Sequence, residues 1–143
     1  MAKIVSAIII KEGNIFTVKQ KRGVYKGMHG LPSGKVEQGE TDEDALVREV
    51  KEETFCDVQI IEFKKVIRDN KNDCHVFTAK IIKQSEFIES DEIEEVKWLS
   101  IPDFIENLRA FKVENLEQLL PLLKNTENRE LQNQELRFSM FKK

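Results

Sequence analysis

Residues 30–53 of the chain read GLPSGKVEQGETDEDALVREVKEE, and this stretch is the most informative part of the sequence. Its first ten residues include three glycines and a proline, which are typical of a loop that needs unusual backbone angles or approaches another group closely. Thr41 then offers a favourable helix N-cap, and the three acidic residues after it suit the positive end of a helix dipole. The stretch therefore predicts a glycine-rich loop followed by a helix over 41–54.

The predicted helix gathers three carboxylates on one face. With Glu49 at 0° on a helical wheel, Glu53 falls at about 40° and Glu52 at about −60°, so the carboxylates encroach on the apolar side. Like charges at this spacing cost roughly 0.2–0.5 kcal/mol per pair, and Arg48 can pair with one of the carboxylates but not with all three. A hard divalent cation such as Mg²⁺ would neutralise such a group of oxygen ligands. The alternative is a solvated acidic face on a salt-bridged helix.

These residues resemble the Nudix box. In that box a Gly and a Glu at the spacing of Gly34 and Glu40 precede the pattern Arg-Glu-aliphatic-x-Glu-Glu-x-Gly-aliphatic. Every charged position of the box is present in residues 40–53, and residues 30–37 are similar to the family's Leu-Pro-Gly-Gly-Lys-x-Glu lead-in. Three residues depart from the pattern: Phe55 and Ser33 each replace a Gly, and His29 stands where many members have Trp. A Gly at position 55 would end the helix in a left-handed conformation, which is costlier for Phe.

The resemblance implies an α/β fold of the Nudix type, which is an α/β/α sandwich with a mixed β-sheet. It implies hydrolysis of a nucleoside diphosphate linked to another group, with Mg²⁺ as the cofactor and Mn²⁺ as the alternative. The implied metal ligands are Glu49, Glu52, Glu53 and the backbone carbonyl of Gly34. The implied braces of the box are Glu40 and Arg48.

The resemblance also implies the residues that would carry the reaction. Those in the box are Arg48, Glu52 and Glu53. Family members often draw a further Glu from a loop before a late strand, and Glu92 is the candidate for this base, with Glu89 next. The alternative for that segment is a solvated acidic turn.

The flanking sequence predicts a single Nudix domain over residues 1–124 and a C-terminal tail, helical or partly disordered, over 125–143. Alternating and β-branched segments predict strands at 3–10, 15–19, 58–67, 74–82 and 93–99, with the first two forming a hairpin. Apolar residues at helical spacing predict helices at 102–108 and 113–124.

Composition excludes several classes of protein. The 143 residues carry 23 Lys and Arg against 26 Asp and Glu, so the net charge of −3 gives no support for a protein that coats duplex nucleic acid. We expect no membrane span, since no apolar run approaches about 20 residues, and no signal peptide, since the first residues lead directly into a strand-like pattern. Two cysteines without metal-ligand spacing are typical of buried thiols in a cytoplasmic protein.

The substrate is predicted from subfamily marks and from residues near the box. ADP-sugar pyrophosphatases of this family usually carry a Pro after the box, and no proline lies between Pro32 and Pro102. By elimination the chain is most similar to MutT-type enzymes, which implies cleavage of a nucleoside or deoxynucleoside triphosphate to the monophosphate and pyrophosphate. The basic residues from Lys19 to Lys26 could hold the third phosphate. The alternatives are ADP-ribose or another nucleotide sugar as substrate, and a nucleotide sensor that has lost catalysis. The partner would be a small-molecule nucleotide bound by a monomer or homodimer. The residues that we expect to bind it are Lys21, Arg22, Tyr25, His29, Lys35 and Phe77.

Overall fold

The computed structural model describes residues 2–124 and residue 126. Its strands are β1 (Ala2–Ile8), β2 (Ile10–Lys11), β3 (Asn14–Gln20), β4 (His29–Gly30), β5 (Ser33–Lys35), β6 (Cys56–Arg68), β7 (Asn72–Gln84) and β8 (Ile93–Ser100). Its helices are α1 (Asp42–Thr54), α2 (Ile101–Ala110) and α3, which spans 116–124. The predicted tail at 125–143 lies outside the described residues, apart from Thr126.

One sheet is mixed, as the sequence predicted. Its strand order is β5-β1-β7-β6, and β1 and β7 run parallel while the other pairs are antiparallel. β1 lies inside this sheet with Val5, Ala7 and Ile8 fully buried, and a strand that is covered on both faces reads as a nearly continuous apolar run. This explains why the segment 4–10 is so rich in Ile and Val.

The pairing in the two sheets shows that the hairpin predicted for 3–10 and 15–19 is wrong for most of its first strand. β1 pairs with β5 and β7. Of the residues predicted as the first strand of the hairpin, only Ile10 pairs with β3, as part of the short β2 and opposite Ile15. The turn between β2 and β3 has positive φ at Glu12 and Gly13. β3 then pairs with β8 along one edge and with β2 and β4 along the other. The chain therefore leaves one sheet and enters the other at Ile9.

Helices cover both faces of the mixed sheet. Val5, Ala7 and Ile9 pack in one cluster with the buried side chains of α1. Ile8 points the other way and packs in a second cluster with Phe104 of α2 and residues of α3. Alternation along β1 thus separates two hydrophobic layers, and the α/β/α sandwich is confirmed. None of the helices in the described residues is long and apolar enough to cross a membrane.

The helix α1 begins and ends as its sequence predicts. The Thr41 side chain accepts a hydrogen bond from the backbone N–H of Asp44 at 3.1 Å, which caps the N-terminus. At the C-terminus Phe55 adopts φ 62° and ψ 20° and donates its N–H to the carbonyl of Lys51. This left-handed conformation costs a residue with a Cβ about 1 kcal/mol, so Phe55 is a strained cap in the position where the Nudix pattern has Gly.

Candidate active site

The loop before α1 approaches the helix so closely that only glycine fits at position 34. A Cβ on Gly34 would lie 1.9 Å from Cδ of Glu49, well inside any allowed contact. Gly34 belongs to β5, which pairs with β1 through Val5. The glycine therefore lets the Glu49 carboxylate lie directly over the backbone of the loop.

A charged brace joins this loop to α1. Arg48 donates from Nε and Nη2 to both oxygens of Glu40, each at 2.8 Å, and from Nη2 to the carbonyl of Lys35 at 3.0 Å. Glu40 also accepts the N–H of Glu37 at 2.9 Å. The Arg48 hydrogen bonds hold the pKa of Glu40 at about 2, so this carboxylate stays ionised.

Glu53 lies deepest among the carboxylates of the helix. One of its oxygens accepts the backbone N–H of Ser33 at 2.9 Å. Burial, together with the charges of Glu49, Glu92 and Glu52, raises the pKa of Glu53 to about 8. The environment of Glu53 therefore opposes its negative charge.

The other carboxylates differ in exposure. Burial raises the pKa of Glu49, although Nη1 of Arg48 donates to its Oε1 at 2.7 Å. Glu52 is mostly exposed and lies 3.4 Å from the same Arg48 nitrogen. The charge of Glu92, from the segment before β8, acts on both Glu49 and Glu53. The fold thus brings a fourth carboxylate from a distant part of the chain within electrostatic reach of the box.

This donor set fits a divalent cation. Several carboxylate oxygens are concentrated in a partly buried place where they repel one another, and hard cations prefer oxygen ligands of this kind. Within residues 2–124 and 126 no three acidic, His or Cys side chains already surround a common point. Glu49 is turned toward Arg48 and Glu53 toward the N–H of Ser33.

A cavity of about 440 Å³ opens next to the box. One wall of the cavity is β5, which contributes Ser33, Gly34 and Lys35. Glu53 and Glu49 contact Ser33 and Gly34 of this strand. The opposite wall comes from α2 and from residues around α3. The lining is largely apolar. Its polar members include Ser6, Gln20, Asp69, Asn72, Glu114 and Asn115. An apolar cavity with a few polar groups is typical of a small-molecule site.

Only two of the six predicted substrate residues line this cavity, namely Tyr25 and Lys35. Phe77 lies in the hydrophobic core, with its ring 5.3 Å from that of Phe63. The side chain of His29 contacts Oε1 of Glu95 at 2.9 Å.

The basic residues before the box also differ from expectation. Nζ of Lys21 contacts Oε2 of Glu89 at 3.0 Å, so this lysine pairs with a carboxylate of the chain itself. Arg22 lies in the exposed segment between β3 and β4.

Sequence reasoning missed the polar residues of the cavity. Asn72 begins β7 and Asn115 precedes α3, and the tertiary fold brings both to the lining of the cavity. The one local signal is the polar turn at 69–73, which reads as an ordinary connection between strands.

Comparison with known proteins defines the class of molecule. A model of the NUDIX domain family matches residues 2–123, so the chain belongs to this family. An ADP-ribose pyrophosphatase of Methanocaldococcus jannaschii is 52% identical over 50 residues, which are 35% of this chain and 30% of that protein. The matched segment thus spans less than a third of that curated relative.

Solved structures support the fold over most of the chain. A NUDIX hydrolase of Nitrosomonas europaea matches with a TM-score of 0.76 and 18% identity, over 88% of this chain and 90% of that one. An ADP-ribose pyrophosphatase of Streptococcus suis matches with a TM-score of 0.69 and 21% identity, over 87% and 91% of the two chains. At these identities the likeness shows a shared fold.

Proposed function

We propose that this protein is a divalent-metal-dependent hydrolase that cleaves a phosphoric anhydride bond in a nucleoside diphosphate-linked compound. The observation that carries the proposal is that Glu49, Glu53 and Glu92 act on one another electrostatically beside β5, whose Gly34 lines the cavity of about 440 Å³. A structural salt-bridge network would not need a carboxylate whose pKa is raised by burial and which accepts a hydrogen bond from Ser33, a residue that lines the cavity.

Each side chain of the box would have a distinct role in such a reaction. The donors that would hold Mg²⁺ or Mn²⁺ are Glu49, Glu52, Glu53 and the carbonyl of Gly34. A bound divalent ion would supply charge neutralisation for the pyrophosphate and a water that ionises near neutral pH. Arg48 and Glu40 hold the loop and the helix together. The proposed acceptor of the proton of the attacking water is Glu92, whose charge acts on Glu53.

Within this reaction we propose a nucleotide sugar such as ADP-ribose as the preferred substrate. The cavity offers an apolar wall for a base, and the relatives named as ADP-ribose pyrophosphatases support this choice. The prediction of a triphosphate rested on the absence of a proline after the box and also on basic residues before it, and one of these, Lys21, pairs with Glu89.

A nucleoside triphosphate is the second candidate. Lys35 lines the cavity and is exposed, so its ammonium group could contact a third phosphate. In that case the products would be a nucleoside monophosphate and pyrophosphate.

Steady-state kinetics decide between the substrates. The purified chain is assayed with Mg²⁺ and with Mn²⁺ on ADP-ribose, other nucleotide sugars and each nucleoside triphosphate, and the products are separated by chromatography. We expect AMP and ribose 5-phosphate, with kcat/KM for ADP-ribose more than tenfold above every triphosphate, which corresponds to about 1.4 kcal/mol. The reverse ratio selects the triphosphate. Binding of these nucleotides without turnover contradicts the enzyme proposal and identifies a sensor.

A further inference from the structure

The segment that carries Glu92 is a loop of irregular structure between β7 and β8, spanning residues 85–92. We call it the acidic loop, because half of its residues are acidic: Glu86, Glu89, Asp91 and Glu92. Like charges crowded in one loop repel each other and the carboxylates of the box. Other contacts must therefore hold the loop in place.

The first contact is at the start of the acidic loop, on the strained end of α1. The backbone N–H of Ser85 donates to the carbonyl of Phe55 at 3.2 Å. The rings of Phe55 and Phe87 meet edge to face, with their centroids 6.2 Å apart and their planes at 77°. Aromatic pairs favour this arrangement. The side chain that makes the backbone of residue 55 costly is thus the one that contacts the loop.

The second contact is at the end of the acidic loop, where Lys21 reaches it three times. Its Nζ lies 3.0 Å from Oε2 of Glu89 and donates to the carbonyl of Ser90 at 3.0 Å. Its backbone N–H donates to the carbonyl of Glu92 at 2.8 Å. Oγ of Ser90 in turn accepts the N–H groups of Glu92 and Ile93. The backbone of Glu92 and that of the next residue, Ile93, are thereby held.

We infer that Phe55 and Lys21 are positioning residues that anchor the two ends of the acidic loop and so hold Glu92 facing the carboxylates of the box. The inference rests on the proposed function, in which Glu92 accepts a proton. It gives a reason for Phe55 in place of the Gly of the Nudix pattern, since Gly would relieve the backbone and release the loop. It also reassigns Lys21 from the substrate to the loop.

Kinetics of three single variants test the positioning role. Phe55→Gly and Phe87→Ala each remove one ring of the first anchor, and Lys21→Met removes the ammonium group of the second. We expect each to lower kcat at least ~10-fold with KM within about twofold, because small misplacements of a reacting group are costly. Arg109→Met is the matched control, since Arg109 forms an exposed ion pair of 3.0 Å with Glu106 away from the loop. It keeps the wild-type kcat.

A double-mutant comparison separates positioning from general damage. In a Glu92→Gln background the same three substitutions should cause no further loss of kcat, since they act through Glu92. Lys21→Arg should restore most of the activity lost in Lys21→Met. Equal losses with and without Glu92, or wild-type kcat in all three variants, would overturn the inference.

Hydrogen exchange tests the anchors without any turnover. We expect peptides covering 85–92 to exchange at least ~5-fold faster in Phe87→Ala and Lys21→Met than in the wild type, with α1 unchanged. Unaltered exchange in both variants would refute the anchoring, whatever the kinetics. If the wild type cleaves no nucleotide but the exchange changes as expected, the proposed function fails and the anchors stand.

Discussion

At the scale of single residues, the environment of Glu53 opposes the ionisation of its carboxyl group. Its ordinary pKa of 4.5 rises to about 8 because the carboxyl is buried. As pH rises above 4.5 the unfolded chain loses this proton while the folded chain keeps it. The metal-free protein therefore loses stability progressively between these two values and has lost the whole contribution above about pH 8.

Replacing the acid by its amide should remove this pH dependence. In chelator at pH 8, we expect Glu53→Gln to be more stable than the wild type by more than about 1 kcal/mol, since one pKa unit corresponds to about 1.4 kcal/mol. At pH 4.5 the two proteins should unfold at similar urea concentrations. Urea unfolding at both pH values measures the difference. An equal difference at both would mean that packing, and not ionisation, separates them.

With metal present, the same substitution should have the opposite consequence for function. Glu53→Gln and Glu52→Gln keep the shape of the side chain but remove a charge, so we expect each to lower kcat at least ~10²-fold. Glu43→Gln, at an exposed position in the first turn of the same helix, should retain activity. Wild-type turnover in either box variant, or full activity in excess chelator, would contradict the assignment.

At this scale the sequence predicts a residue's environment when that environment is determined by residues nearby in the chain. The carboxylates of α1 share a helix, so their spacing alone puts them on one face. Phe77 lies on a strand buried on both faces, and alternation cannot distinguish a core position from one in a pocket. The partner of Lys21 comes from residue 89, which no local pattern indicates.

At the scale of elements, two variants of Phe55 at the C-terminus of α1 separate the free-energy cost of its left-handed backbone from the contribution of its ring. Phe55→Gly and Phe55→Ala both lose the ring that meets Phe87, and they differ only by a methyl group at φ 62°. We expect the glycine variant to be more stable than the alanine variant by about 1 kcal/mol, as for other left-handed positions. Urea unfolding of the two proteins measures this directly. An alanine variant of equal or greater stability would show that residue 55 leaves the left-handed region once the ring is gone.

The elements themselves follow from the sequence better than their pairing does. The cap at Thr41, the strained end at Phe55 and the strand over 58–67 are all local features. Whether β1 pairs with β3 or crosses to β7 depends on contacts more than 60 residues away in the chain, between Ile4 and Cys74 for example. A turn at Gly13 is compatible with both, so the hairpin was wrong for β1 and right only for β2.

At the scale of the whole molecule, the cavity could not be predicted because no single segment contains it. The residues Ser6 of β1, Cys74 of β7 and Asn115 before α3 meet there only when α2 and α3 pack on the mixed sheet. The glycine-rich loop is the one contributor that the sequence singled out. The box can thus be recognised from 24 residues of sequence, whereas the cavity forms only when distant segments of the chain come together.

The stability of the whole fold should report on the proposed metal site. A cation that binds the clustered carboxylates only in the folded state stabilises it by about 2.7 kcal/mol at 100 times its Kd. For a domain of this size we expect Mg²⁺ or Mn²⁺ to raise the Tm of the wild type by roughly 5–10 °C. Chelator should reverse the shift. Thermal unfolding followed by far-UV circular dichroism measures Tm under both conditions.

The comparison that matters is the metal-induced shift of each variant against its own metal-free Tm. Glu53→Gln starts from a higher metal-free stability at pH 8, because its buried charge is gone, and yet should gain much less from metal because a ligand is gone. Glu49→Gln should show the same small gain. A shift as large as that of the wild type in both variants would place the cation elsewhere on the molecule, since binding at the box must depend on these two carboxylates.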